Sequence, residues 1–173
     1  VGIIWNIDFS LTWNPFNYFE QGQSYVIFGY GFTNRFDIHG YISHSGDNDY
    51  NYYGGFLYQF YKSKRLDLSS AIGFRKYINK TETHLFAPQL LYTIYLTKKL
   101  KIGGSFVDVR IQDLKESLGI AMDTFFIYNI FEGKKYKVNF TVGAFNPVMW
   151  KPKKGEWYPT YSVDIKIKNF KIF

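Results

Sequence analysis

The sequence of 173 residues contains no cysteine. Disulfide bonds and thiolate metal sites are therefore excluded, and passage through an oxidising compartment exposes no thiol. No window approaches the roughly 18 consecutive apolar residues of a membrane-spanning helix, which leaves only strands as membrane-crossing elements. The start also lacks a charged segment followed by an apolar one; if the protein is exported, we therefore expect its signal peptide to be absent from this chain.

Aromatic side chains are abundant instead, at 22% of the sequence with 16 Tyr, 18 Phe and 4 Trp. Alanine is rare, and no long run of Ala, Leu, Glu and Lys indicates a helix. This composition is typical of β-strands. With 46% hydrophobic residues, the length favours a single domain over residues 1–173.

The first strand-like segment has large apolar residues at odd positions and polar residues at even ones. The apolar set is Ile3, Trp5, Ile7, Phe9, Leu11 and Trp13, and the polar set is Asn6, Asp8, Ser10 and Thr12. Such alternation predicts a strand with one apolar and one polar face. Ten such segments are predicted, with approximate limits 2–13, 23–33, 35–45, 53–62, 66–77, 86–97, 100–111, 118–131, 136–146 and 158–173.

The predicted connections alternate between short turns and long loops along the chain. Most strands have ten to twelve residues, and a strand tilted near 45° crosses a bilayer's hydrocarbon in roughly 9 to 11. An antiparallel meander with this alternation places all short turns at one end and all long loops at the other. Both features predict an all-β, up-and-down transmembrane β-barrel of about ten strands.

The apolar face is predicted to point outward. Ten sets of large apolar side chains would overfill a small barrel, whereas the polar set contains ions of both signs that can pair inside. The predicted lumen charge network is Asp8, Asp37, His39, Arg75, Asp108, Arg110, Asp123, Asp164 and Lys166. A change of phase near Phe106–Asp108 predicts a bulge in the seventh strand.

Aromatic residues near the strand ends predict two interfacial belts. The short-turn belt is Trp5, Phe32, Phe36, Tyr61, Phe131, Tyr136 and Phe173. The long-loop belt is Trp13, Phe16, Tyr25, Tyr53, Tyr77, Phe86, Trp150 and Trp157.

The whole chain resembles the small bacterial outer-membrane barrels, a class that includes the OmpA membrane domain, OmpX and OpcA. Phe173, preceded in phase by Tyr161, Val163, Ile165 and Ile167, is similar to the C-terminal signal read by the barrel-assembly machinery, although Asn169 and Lys171 depart from it. The resemblance implies the outer membrane of a Gram-negative bacterium, with periplasmic short turns and extracellular long loops. It also implies lipopolysaccharide, phospholipid and the assembly machinery as partners.

The net charge of +7 is concentrated at the short-turn end. The bases form small clusters without an aromatic-lined groove, so nucleic acid is not expected as a partner. We predict a structural or interaction protein, adhesin-like or a subunit of a larger membrane complex. Its loop contacts would be Phe16, Tyr18, Phe19, Tyr50, Tyr52, Trp150, Lys151, Lys153, Lys154 and Trp157.

Three alternatives remain open at this point. A narrow channel for small solutes would pass through the charged lumen, and a soluble barrel of the lipocalin or fatty-acid-binding kind would hold an apolar ligand inside. A lipid-modifying enzyme would use Asp37 and His39, which share a strand face and are the candidate catalytic pair. No recognisable catalytic or metal-binding spacing accompanies them, so we expect neither catalysis, nor a metal, nor a cofactor.

Overall fold

The computed structural model describes residues 5–13, 23–45, 49–78, 83–110, 117–146 and 157–170. Side chains are described within 25–44, 50–78, 83–110, 117–146 and 157–167. None of these segments forms a helix that is long and apolar enough to cross a membrane.

In the described part of the chain, ten antiparallel strands form one closed barrel, as predicted. Each strand pairs with the strands before and after it in the chain, and β1 pairs with β10 to close the sheet. The strands are β1 (Trp5–Trp13), β2 (Gln23–Gly31), β3 (Phe36–Ser45), β4 (Asp49–Lys62), β5 (Leu66–Tyr77), β6 (Thr83–Tyr95), β7 (Leu100–Arg110), β8 (Ser117–Glu132), β9 (Tyr136–Asn146) and β10 (Tyr158–Phe170).

The large apolar side chains lie on the outer surface of the barrel. Phe56 is 49% exposed and its partner across β5, Ile72, is 44% exposed. Exposure alternates along β4: Tyr53, which points to the opposite face from Phe56, is only 7% exposed. Residues opposite each other in a sheet share a face, so the inward set is identified strand by strand. The wall is therefore apolar outside and mainly polar inside.

Hydroxyl side chains build three of the four short turns. The Thr33 Oγ1 accepts hydrogen bonds from the backbone N–H groups of Arg35 and Phe36, at 3.1 and 3.0 Å. Ser63 accepts in the same way from the second and third residues after it, and Thr97 does so too. The fourth turn is closed by the Gly133 N–H and the Tyr136 carbonyl, 2.8 Å apart. The hydroxyl replaces a backbone acceptor in a tight reversal of the chain.

One predicted long loop is shorter than expected. Tyr50 and Tyr52 were assigned to the connection after the third strand, but both lie in β4, which begins at Asp49. The alternation explains the difference, because Tyr50 and Tyr52 are 43% and 46% exposed while Asn51 between them is 3% exposed. The strand pattern therefore continues to residue 49, and only residues 46–48 join β3 to β4.

The predicted bulge in the seventh strand lies in β6 instead. Phe86 pairs with Val109 and Gln89 pairs with Val107, so three steps along β6 correspond to two along β7. The extra residue falls at Ala87 and Pro88, whose peptide bond is cis. Strand β7 itself keeps regular alternation through Val109. In this part of β7 the polarity of the two faces is exchanged: Val107 and Val109 point inward, and Asp108 and Arg110 point outward.

Candidate functional site

The candidate functional site is the lumen, meaning the inward face of the ten strands. Its long-loop half, on β2 to β6, contains an aromatic cluster. The rings of Tyr25 and Tyr41 meet edge to face with centroids 5.3 Å apart, and those of Tyr41 and Tyr53 stack at 5.2 Å. The Arg75 guanidinium lies over Phe86 at 4.8 Å from the ring centroid. Ring contacts thus connect β2, β3 and β4, and a cation–ring contact connects β5 and β6, along this side of the lumen.

Tyr53 is held in the cluster by a hydrogen bond to its hydroxyl and by close packing of its ring. Its hydroxyl oxygen accepts a hydrogen bond from the Gln89 Nε2 at 2.9 Å, and that nitrogen also donates to the Phe86 carbonyl at 3.0 Å. The ring lies flat against β5, where a Cβ added to Gly73 would overlap it. The missing side chain at Gly73 therefore leaves the space that the Tyr53 ring occupies.

A polar network covers the opposite wall, on β7 to β10. The Asp164 carboxylate accepts hydrogen bonds from Thr141 at 2.9 Å and Ser162 at 3.1 Å. Asp123 accepts one from Ser105 at 2.9 Å. Thr141 and Ser162 are each 8% exposed. Buried polar groups need such partners. The bonds from Thr141 and Ser105 cross between neighbouring strands, whereas the bond from Ser162 stays within β10.

The short-turn end of the lumen carries most of its charge. The Lys137 Nζ is 3.2 Å from the Glu132 Oε2, and the Tyr95 hydroxyl donates to the Asp67 Oδ2 at 2.7 Å. The Lys101 Nζ lies over the Tyr95 ring, 4.9 Å from its centroid. Lys137 is also directly opposite Lys166 in the β9–β10 register, so this end of the lumen holds a cluster of bases together with a few acids.

Six residues of the predicted lumen charge network lie on the inward face: Asp37, His39, Arg75, Asp123, Asp164 and Lys166. They do not form one connected group. Asp37 lies within electrostatic range of Lys166, whereas Arg75 belongs to the aromatic cluster. Asp8 is opposite Lys166 in the β1–β10 register, but its side chain lies outside the described residues.

Asp108 and Arg110 lie on the outer face, not in the lumen. Asp108 is opposite Ile120, which is 57% exposed, and the inward positions beside it are taken by Val107 and Val109 at 9% and 0%. The Arg110 Nε and Nη2 both donate to the Asp108 Oδ2, at 2.9 and 2.7 Å. The physical reason is that the inward space here is filled by valine packing, which leaves no room for the ions.

The candidate catalytic pair is present but loose. The His39 Nδ1 and the Asp37 Oδ1 are 3.6 Å apart, which is longer than a hydrogen bond. Among the described residues, no group of three or more His, Asp or Glu could hold a metal ion.

Most predicted loop contacts lie outside the described residues: Phe16, Tyr18, Phe19, Trp150, Lys151, Lys153 and Lys154, together with the predicted assembly signal Phe173. Trp157, just before β10, is 47% exposed. With Tyr50 and Tyr52 it forms the described part of the predicted contact surface.

The lumen tyrosines were missed as site residues. Tyr25, Tyr53, Tyr77 and Phe86 were assigned to the long-loop aromatic belt, yet all four are on the inward face. The period of two could have found them, because Tyr53 shares a face with Asn51, and Tyr77 shares one with Arg75.

A closed ten-stranded meander with an apolar outer wall and a polar lumen defines a transmembrane β-barrel. A solved structure of the KdgM porin in complex with disordered oligogalacturonate aligns with it at a TM-score of 0.60 and 10% identity, over 94% of this chain and 98% of that chain. A second structure of the KdgM porin aligns at 0.58 and 9% identity, with the same coverage. At these identities the likeness concerns the fold. No family model matches the sequence, and no curated protein matches it.

Proposed function

We propose that this chain is an integral protein of the bacterial outer membrane that acts through its loops and outer surface, as an adhesin-like protein or a subunit of a larger complex. The observation that carries the proposal is the packing of the lumen. Ser43, Asn51 and Tyr53 on one wall are 1%, 3% and 7% exposed, and Thr160 on the other is 5% exposed.

Barrel size supports the same conclusion. An eight-stranded barrel has an interior that side chains fill, whereas aqueous channels belong to barrels of 16 to 18 strands. Ten strands are close to the lower limit, and several aromatic side chains lie inside, among them Tyr25, Tyr41, Tyr53, Tyr77 and Phe86. The space left for a diffusing solute is small, so the long-loop end is the part best placed to contact a partner.

Membrane residence is tested by the behaviour of the purified protein in detergent. We expect it to require detergent for solubility, and the unboiled protein to migrate faster on a denaturing gel than the boiled protein, because a closed barrel resists detergent unfolding. A protein that is monodisperse without detergent would contradict membrane residence and favour the soluble binding barrel.

The interaction role is tested by replacing residues 147–156 with a short turn. We expect the variant to keep its heat-dependent gel shift but to lose partner association, measured on a native gel of the solubilised membrane. Replacing residues 111–116 with a Gly and Ser segment of the same length is the matched control and should retain association. If the first variant also retains association, residues 147–156 are not the contact.

A narrow conduit is the second candidate, and the charged short-turn end of the lumen favours it. Lys101, Lys137 and Lys166 all face inward there. Single-channel recording in planar bilayers separates the candidates. The packed lumen predicts no conductance steps above background for the native protein. Steps in the native protein that disappear when Lys101 is replaced by Glu would establish conduction.

A further inference from the structure

The outer wall has a groove where β6 bulges. Its floor contains Ser70, Ala87 and Pro88, and its walls contain larger side chains that include Phe56, Tyr58 and Ile72. The volume is about 550 Å³. The groove forms because small residues of β5 and β6 lie between exposed aromatic and branched residues of the neighbouring strands. It faces the side of the wall that meets lipid.

Arg110, at the long-loop end of β7, is the one residue of basic or acidic type among the described residues that line the groove. Its side chain is 35% exposed, and Asp108 orients it through two nitrogens of the guanidinium. Ser117 donates a hydrogen bond to the other oxygen of Asp108. The cation is thus held at one end of an apolar groove by a supporting pair.

We propose that this groove binds one acyl chain of a phosphate-bearing membrane lipid, with the lipid phosphate against the Arg110 guanidinium. Apolar walls suit the chain, and the planar guanidinium matches phosphate geometry. The volume is that of a small-molecule site, which is typically about 300 to 1,000 Å³. A protein partner needs a broad complementary surface, so the narrow groove favours a lipid over a second copy of the chain.

The inference requires the membrane residence proposed above, and its test is separable from that proposal. Folded protein in a nonionic detergent would be titrated with dipalmitoyl phosphatidic acid, and with dipalmitoyl phosphatidylcholine in parallel. Native mass spectrometry would count bound lipids and protein copies. We expect one phosphatidic acid per barrel. The zwitterionic lipid should bind about tenfold more weakly or worse, because choline neutralises its phosphate, whereas the phosphomonoester of phosphatidic acid keeps a net negative charge for the guanidinium.

Two variants with matched controls identify the site. Arg110→Gln should weaken phosphatidic acid binding by about tenfold, whereas Lys76→Gln, which removes an exposed cation near the same end of β5, should not. Ser70→Phe should fill the groove and abolish binding, whereas Ala144→Phe on β9 should retain it. The heat-dependent gel shift checks that each variant folds. If Ser70→Phe does not fold, Arg110→Gln still tests the site.

Three results would overturn the inference while leaving membrane residence intact. The first is a folded barrel that retains no phosphatidic acid. The second is equal loss of binding in Arg110→Gln and Lys76→Gln. The third is a dimer that Ser70→Phe abolishes without any bound lipid, which would assign the groove to a second copy of the chain.

Discussion

Single residues of the lumen depend on space as much as on polarity. Tyr53 is accommodated because Gly73 lacks a side chain, and it is fixed because Gln89 donates to its hydroxyl. Tyrosine has an apolar ring and a polar tip, so its type alone does not indicate which face of the wall it joins. That is why the inward tyrosines were assigned to the outer aromatic belt, although their positions along the strands matched the polar face.

Replacing Gly73 with Ala should destabilise the barrel by about 1–3 kcal/mol, because the Tyr53 ring must leave its place. Gly54→Ala is the matched control, since a Cβ there meets no atom within 4 Å, and its effect should stay within about 0.5 kcal/mol. Urea unfolding in phospholipid vesicles, followed by tryptophan fluorescence, measures both. Equal stability of the two variants would show that the ring moves aside without cost.

At the scale of the element, the short turns are specified by single hydroxyls. The hydroxyls of Thr33, Ser63 and Thr97 each accept hydrogen bonds from the backbone N–H groups of the second and third residues after them. The same hydrogen-bond geometry thus recurs in three turns of different sequence. The basic residues two positions after each hydroxyl, Arg35, Arg65 and Lys99, are exposed and take part in this geometry through their backbone N–H groups.

Thr97→Val should lower the free energy of unfolding by about 0.5–1 kcal/mol, because two backbone N–H groups lose an acceptor and must rely on water. Thr97→Ser keeps the hydroxyl and should change stability by less than about half of that amount. The same vesicle unfolding experiment applies. A valine variant as stable as the serine variant would mean that water replaces the hydroxyl fully.

The bulge shows where sequence periodicity reaches its limit. Alternation in β7 changes its polarity at Val107 to Arg110, and a bulge in that strand would restore the usual pattern. The structure instead keeps β7 regular and inserts the extra residue in β6. Which of two paired strands carries an irregularity depends on cross-strand contacts, and a single strand's pattern does not contain them.

For the molecule as a whole, closure of the barrel gives each strand two partners. β1 is paired on one side with β2 and on the other with β10, so the sheet has no free edge. Inside hydrocarbon no water can replace a missing strand-to-strand bond. A defect in one strand therefore affects the stability of the whole wall.

Val163→Pro should prevent formation of the heat-resistant band, because it removes an N–H from β10 between Leu11 and Phe140. The expected loss is roughly 3 kcal/mol or more. Val163→Ala, which keeps the N–H, should still give the fast-migrating band. A fast band in the proline variant would show that the barrel closes without this backbone N–H group of β10.

The strand number, the meander and the outward apolar face follow from local period and connection length, and these were predicted from the sequence. The interior was predicted less well. Asp37, Asp164 and Lys166 lie on the inward face, but their grouping depends on register between distant strands. The outward position of Asp108 and Arg110 depends on packing around Val107 and Val109, which no local pattern records.

The outward ion pair also calibrates depth in the bilayer. Phe106 is 44% exposed on the same face of β7, two residues before Asp108, and a strand rises only about 3.3 Å per residue. An ion pair is unfavourable in hydrocarbon, whereas a phenylalanine is at home there. On β7, the edge of the hydrocarbon nearer the long loops therefore lies between Phe106 and Asp108, which are two residues apart. The sequence of β7 thus fixes the depth at which the barrel sits in the bilayer.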